Sequence, residues 1–294
     1  MILFTKMQGT GNDFIIVNCI EQYFKYSLDV LSKYLCDRNF GIGGNGVIYL
    51  FKSYKADCKM RIFNSDGTEA EMCGNGIRCV AKYLYEKGIV TKNNIKIETK
   101  IDVKNVELIL ENRKLAKIKV KMSLPIFELN KIPVFLPKEN SSSEIHSAKI
   151  IIDNIEYFLY FVSFDNPHAV CFINNLEKIN VSKVGKIIEN YKYFPNKINV
   201  EFVQIIDRKN IKIKIWERGV GETLSCGTGA CAAVVCGIKN NWIDNDVKVE
   251  LLGGKLNVLM KENEVYLIGD SEIVFEGKIN LWKALNYDKV NPNY

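Results

Sequence analysis

Two short segments of this chain carry residues able to do acid-base chemistry with sulfur. Cys73 heads Cys73-Gly74-Asn75-Gly76, and Cys226 heads Cys226-Gly227-Thr228-Gly229. Each cysteine follows a loop containing glycine, Asp66-Gly67 in one case and Gly219 with Gly221 in the other. Each also precedes a helical pattern: Ile77, Val80, Ala81 and Leu84 up to about Gly88, and Ala232, Ala233, Val235 and Cys236 up to about Asn240. A cysteine at a helix start meets the positive end of the backbone dipole, which favours thiolate. The neighbouring glycines let backbone N–H groups approach an anion such as a carboxylate. Two thiols facing one ligand from opposite sides suit inversion of a carbon centre, because one face loses a proton and the other gains one. One sulfur must start as thiolate and the other as thiol. Donors at the helix starts would stabilise the negative charge that develops on the carboxylate.

Each thiol needs a neighbour that manages its proton, and His168 and Glu217 are the candidates. His168 is one of two histidines and follows Asn166-Pro167, where the chain should turn; the other, His146, lies at the end of a polar loop and reads as surface. Glu217 ends a strand-like stretch just before the second cysteine loop. Taken singly, each feature has a plain alternative: a tight turn around a buried cysteine, a structural histidine, and a surface ion pair between Glu217 and Arg218. The spacings from Cys73 to Cys79 and from Cys226 to Cys231 lack the close pairs of a zinc site, and neither glycine loop ends in the Lys-Ser or Lys-Thr of a nucleotide-binding loop.

The elements that must position these residues occur twice, at a nearly constant offset of 153 residues. Leu28, Leu31 and Leu35 after Ser27 answer Val184, Ile187, Ile188 and Tyr191 after Ser182, both at helical spacing. Val47 to Phe51 matches Val200 to Ile206, and Lys59 to Phe63 matches Ile211 to Trp216, all strand-like. Asn64 then answers Glu217, Glu69 answers Glu222, the cysteines and their glycines coincide, and Asn12 answers Asn166 with one residue of slippage. This predicts two related domains, residues 1–122 with 271–294 and residues 123–270. The segment Pro133 to Ser143 reads as a surface loop, and the polar tail from Trp282 to Tyr294 carries no assignment.

The chain is of ordinary globular make-up, with 294 residues, 47% of them hydrophobic. Its net charge of +6 comes from lysines spread along alternating segments such as Ile211-Lys212-Ile213-Lys214-Ile215, which read as solvent faces and argue against nucleic acid as a partner. Nine cysteines without a Cys-x-x-Cys pair argue against a disulfide framework, and Cys19, Cys36, Cys58 and Cys171 read as small core residues. No run approaches the roughly 18 apolar residues needed to cross a bilayer, so a cytosolic location is expected.

Gly9-Thr10-Gly11-Asn12-Asp13-Phe14, Phe63-Asn64-Ser65-Asp66-Gly67, Ala70-Glu71-Met72-Cys73-Gly74-Asn75-Gly76, Asn166-Pro167-His168, Glu217-Arg218-Gly219 and Cys226-Gly227-Thr228-Gly229 together resemble the diaminopimelate epimerase family, from Thr5 to Leu281. The resemblance implies an α/β (α+β) fold of two pseudo-symmetric domains. Each would be a strongly curved, mostly antiparallel sheet around a central helix, with a last strand at about Glu272 to Leu281 returning to the first domain and substrate lying between the two. It implies Cys73 and Cys226 as acid and base, His168 serving the first and Glu217 the second, with no pyridoxal phosphate and no metal. Asn12, Asn64, Asn166, Asn199 and Arg218 would bind the distal end of diaminopimelate, while Gly74, Asn75, Gly227 and Thr228 would hold the reacting carboxylate. A homodimer is implied as well. In Gly41-Ile42-Gly43-Gly44-Asn45-Gly46 the family usually has aspartate where this chain has Asn45, so the contacts of this loop are open, and Gly46 offers no side chain. The nearest alternative, a proline or hydroxyproline racemase, has histidine after its first Cys-Gly, where this chain has Asn75.

Overall fold

A computed structural model describes residues 1–23, 25–70, 73–112, 114–136 and 147–281. The chain divides into two units, Met1–Val120 together with the chain from Gly269 onward, and Lys121–Ile268.

In the first unit, β1 (Ile2–Gly9) and β2 (Asn12–Asn18) form a hairpin, followed by α1 (Leu28–Cys36), β3 (Gly46–Phe51), β4 (Cys58–Asn64) and the short β5 (Glu69–Ala70). Then come α2 (Gly74–Glu86), β6 (Asn94–Glu98), β7 (Val103–Glu111) and β8 (Lys114–Lys121). The second unit contains β9 (Ser147–Ile152), β10 (Ile155–Ser163), β11 (Pro167–Phe172), α3 (Val181–Glu189), β12 (Asn199–Asp207) and β13 (Asn210–Glu217). It continues with β14 (Gly221–Thr223), α4 (Gly227–Lys239), β15 (Asp246–Leu251), β16 (Gly254–Lys261) and β17 (Glu264–Gly269). The last strand, β18 (Glu272–Ile279), pairs antiparallel with β1 of the first unit.

The duplication is visible strand by strand. In the first unit β2 runs parallel to β3, and β4 parallel to β6, while β1 with β2, β3 with β4, β4 with β5, β6 with β7 and β7 with β8 are antiparallel. The second unit repeats this pattern: β11 lies parallel to β12 and β13 parallel to β15, and its other pairs are antiparallel. Strand β18 stands beside β1 as β9 stands beside β10. A helix lies in the chain between the two strands of every one of these parallel pairs, as the long connection that parallel strands need.

Each sheet curls around one helix. Helix α2 packs against β1, β2, β6 and β18, and α4 against β10, β11, β12, β13 and β16, so each helix touches strands far apart in its sheet order. Both are buried along almost their full length, α4 from Gly227 to Gly237 through alanine, valine, cysteine and glycine. Small residues let strands close in on all sides; a Cβ on Gly237 would come within 2.5 Å of the Ile243 side chain. Helices α1 and α3 cover the sheets from outside, with Leu31 and Leu35 against Val47 and Phe63 in one unit and Val184 and Ile188 against Val200 and Phe202 in the other. Full burial of each such aliphatic side chain contributes about 1.5–3 kcal/mol.

Local expectations needed three corrections. Helix α3 begins at Val181 and is capped by Asn180, whose side chain accepts from the Lys183 N–H; Ser182 is already inside it, and Tyr191 lies beyond its end. The segment after Pro133 is not all surface, because Val134, like Ile132 before it, is buried in the second unit's core; residues 137–146, including His146, lie outside the described residues, as does the tail 282–294. Lys212 is an exposed lysine paired with Glu250, but half-buried Lys214 donates to the Leu176 carbonyl at 3.0 Å. The buried thiols behave as core: desolvation pushes Cys36, Cys58 and Cys171 up to about 12. No described helix is long and apolar enough to cross a membrane.

Arg78, fully buried on α2, ties the strands around that helix. Its guanidinium donates to the Asp270 carbonyl at 3.1 Å and to Thr10 Oγ1 at 3.2 Å, and its own carbonyl accepts from Ser271. Thr10 and Gly11 form the two-residue β1–β2 turn with φ of 52° and 81°, a conformation costly for threonine without such a tie. Replacing Arg78 by alanine removes these ties and leaves a void where a fully buried side chain stood, and should lower stability by about 3 kcal/mol. The check is a clear drop in the thermal unfolding midpoint.

Candidate active site

The two cysteines occupy equivalent places. Cys73 is the N-cap of α2 with φ −148° and ψ 114°, and Cys226 the N-cap of α4 with φ −126° and ψ 118°. The intrahelical ladder begins at Ile77 N–H to the Cys73 carbonyl and Ala230 N–H to the Cys226 carbonyl. The N–H groups of Gly74, Asn75, Gly227 and Thr228 precede it, as a carboxylate-binding helix start requires.

In the first unit, Asn12 opens β2 beside the Thr10-Gly11 turn, and its Nδ2 lies 4.0 Å from Cys73 Sγ. The Asn12 Oδ1 is buried with no hydrogen-bond partner among the described residues, an arrangement that a ligand N–H would satisfy. Asn75 is buried in the first turn of α2, whereas Asn64 is exposed and donates to Thr68 Oγ1 at 3.0 Å. Asn45 has no part in this. Its Oδ1 accepts from Arg38 at 3.0 Å, and Arg38 also donates to Asp13, which pairs with buried Lys6 at 2.6 Å. Burial alone would raise the Asp13 pKa, but bonds from Lys6 and Arg38 hold it below the usual range. Gly46 has no room for a side chain, since a Cβ would lie 2.7 Å from the Phe63 carbonyl.

In the second unit, hydrogen bonds link four of the expected residues and one that sequence reasoning missed. Glu201 Oε1 lies 2.7 Å from His168 Nδ1, and His168 Nε2 lies 3.0 Å from Asn166 Oδ1. Asn166 Nδ2 donates to Thr228 Oγ1 at 3.3 Å, and that hydroxyl lies 3.3 Å from Cys226 Sγ. The Gly229 N–H also donates to the sulfur, at 3.4 Å. The parallel pairing of β11 with β12 creates the first contact, by setting His168 opposite Asn199 and so close to Glu201. Glu201 was discoverable: it is the lone charge in Val200-Glu201-Phe202-Val203, a run without polar alternation.

Glu217 makes no ion pair with Arg218. Its carboxylate accepts from Thr223 Oγ1 at 2.6 Å across the β13–β14 pair. The Arg218 guanidinium is exposed and donates to the Asn196 carbonyl at 3.2 Å. Asn199 spends its amide on backbone, donating to the Pro167 carbonyl and accepting from the Arg218 N–H, both at 2.9 Å. Buried Glu189 fixes the same turn by accepting from Trp216 Nε1 and Gly219 N–H, both at 2.8 Å.

The expected thiolate is not what the surroundings of Cys226 favour. Burial, then the carboxylates of Glu217 and Glu201, push its pKa well above the ordinary thiol value, outweighing the donors at Thr228 and Gly229. Burial and Glu201 likewise raise Glu217, with Thr223 opposing. Among the described residues, no three His, Cys, Asp or Glu side chains form a group able to hold a metal ion.

Solved structures place this architecture. A PhzF-family phenazine biosynthesis protein from Bacillus anthracis superposes with a TM-score of 0.68 at 16% identity, covering 95% of this chain and 99% of that one. A probable proline racemase from Agrobacterium radiobacter K84 gives 0.68 at 15%, covering 96% and 93%. The fold is therefore the pseudo-symmetric two-domain fold of these proteins. The sequence is more specific. The family model described as diaminopimelate epimerase matches residues 4–127 and 160–274. Curated diaminopimelate epimerases of Acetivibrio thermocellus and Methanococcus maripaludis C6 are 45% and 44% identical over 281 and 280 residues, 95% of this chain in both cases and 98% and 99% of the relatives. The chain belongs to the diaminopimelate epimerase family, a family of isomerases.

Because the Glu217 pKa is raised on folding, the folded protein binds more protons than the unfolded chain between the ordinary carboxylate value and the raised one. Stability therefore falls as pH rises through that window. Glu217→Gln should flatten this fall, measured as a smaller drop in unfolding midpoint between pH 4.5 and pH 7 than the wild type shows.

Proposed function

We propose that this chain interconverts LL- and meso-diaminopimelate in lysine biosynthesis, with Cys73 and Cys226 as the two acid-base groups. The observation that carries the mechanism is the equivalent placement of the two cysteines, each the N-cap of a buried helix whose first N–H groups precede the intrahelical ladder. The substrate follows from the relatives, which match over 95% of the chain.

In this reading Cys226 enters the first turnover as a thiol, since burial and two carboxylates hold its proton. Cys73 enters as the base. It takes the α-proton, and Cys226 delivers a proton to the opposite face, so the sulfurs have exchanged states at the end of the turnover and the reverse reaction uses them the other way round. Backbone donors at Gly74, Asn75, Gly227 and Thr228 bind the reacting carboxylate and stabilise the charge it gains. Glu217 serves Cys226 and His168 serves Cys73, as the resemblance implies. Asn12, whose buried Oδ1 has no described partner, accepts from a substrate ammonium. Asn64, Asn166, Asn199 and Arg218 complete the distal site, and a cytosolic homodimer belongs to the same reading.

Chiral chromatography of LL-diaminopimelate incubated with reduced protein, without added pyridoxal phosphate or metal, tests this. The expected result is meso isomer from wild type, with Cys73→Ala and Cys226→Ala each slower by at least about 100-fold. No meso isomer from folded wild-type protein, together with racemisation of proline or hydroxyproline, would replace the substrate assignment.

A further inference from the structure

Glu201 is fully buried, carries no role in the scheme above, and touches the ring of His168 on the side away from Asn166. Its Oε1 is 2.7 Å from Nδ1, while Oε2 is buried without a hydrogen-bond partner among the described residues. A carboxyl group placed inside a sheet with one oxygen unpaired costs stability, so its retention calls for a compensating contact. The surroundings make room for it on purpose. Gly229, in the first turn of α4, has no side chain, and a Cβ there would lie 2.6 Å from Oε1. An alanine at 229 would therefore push the carboxyl group off the ring.

We propose that Glu201 is a positioning residue that holds the ring of His168 against Asn166, and thereby supports the hydrogen-bond chain ending on Cys226. The geometry at the other nitrogen carries this. Asn166 presents its Oδ1 to Nε2 at 3.0 Å, and a carbonyl oxygen can only accept, so Nε2 must donate. A carboxyl group opposite Nδ1 is compatible with that state whichever atom of the contact holds the shared hydrogen. The amide of Asn166 is then fixed as well: with Oδ1 engaged by the ring, Nδ2 donates to Thr228 Oγ1 at 3.3 Å. The Thr228 hydroxyl, having accepted, points its own hydrogen at Cys226 Sγ, 3.3 Å away. Each link fixes the next, and the last donor meets the sulfur when it becomes thiolate.

The role rests on the proposed reading that Cys226 and His168 serve the reaction, so the test has one arm that needs no turnover. The chain has two histidines, so protein labelled with nitrogen-15 in histidine gives two ring spin systems, which a His168→Gln control assigns. In wild type, long-range nitrogen–proton correlation should show the His168 hydrogen fixed on Nε2. Glu201→Leu fills a similar volume but offers Nδ1 no partner, so the ring should lose its fixed place and its nitrogen signals should shift. With LL-diaminopimelate, kcat should fall at least about 10-fold with KM within about 3-fold, the size expected when an orienting partner is lost. Glu201→Gln, whose amide can donate to Nδ1, should restore the Nε2–H signals and part of kcat. The proposal is overturned if wild-type His168 already samples both tautomers or if Glu201→Leu leaves its ring signals unchanged. It is also overturned if kcat stays the same while the ring signals of Glu201→Leu change. Failure of wild type to epimerise diaminopimelate would sink the functional reading and leave the tautomer result standing.

Discussion

A cysteine held as the N-cap of a helix that is buried on nearly every side is the constraint on which both halves of this structure depend. A helix so placed must be made of small and apolar residues, and α4 meets this with alanine, valine, cysteine and glycine from Gly227 to Gly237. Its sheet must curl to cover it, which sets distant strands against one helix. The same burial leaves the helix start as the place where N–H groups outside the intrahelical ladder and a sulfur can meet a ligand. Sheet curvature, helix composition and site chemistry are thus one requirement seen at three scales.

Burial also works against the chemistry it makes possible. Desolvation raises Cys226, as it raises the inert thiols Cys36, Cys58 and Cys171, so position at a helix start does not by itself yield a thiolate. What separates Cys226 from those core cysteines is direct hydrogen bonding at the sulfur, with the Thr228 hydroxyl 3.3 Å away and the Gly229 N–H donating at 3.4 Å, while Glu201 and Glu217 favour its proton. A sulfur with partners for both of its states can change state during a turnover. In the other unit, the Arg78 clamp on the Thr10 turn plays the supporting part by fixing the strand that presents Asn12 beside Cys73.

The duplication was legible because its marks are local: cysteines and glycines in register, and helical and alternating patterns in the same order. The parallel strand pairs were not, and they determine which side chains meet. His168 and Asn166 could be picked out as Asn-Pro-His, but Glu201 needed β11 beside β12 before it became their neighbour. Glu217 was identified as a candidate, yet its partner Thr223 lies across β13–β14, and the adjacent Arg218 turns out to solvent. The helical spacing was placed after Ser182, but Asn180, a good capping residue, sits where the chain enters the helix.

The two-thiol account is tested most directly by where hydrogen enters during the first turnovers in heavy water. LL-diaminopimelate given to the protein in D2O would be followed at low conversion, with the isotope content of each isomer measured by mass spectrometry and proton NMR. If opposed sulfurs handle the proton, the meso product carries deuterium at the inverted carbon from the outset, while the remaining LL substrate keeps its hydrogen. Product that retains the original hydrogen, or equal labelling of the two isomers from the first time point, would mean that a single group serves both faces and would contradict the account.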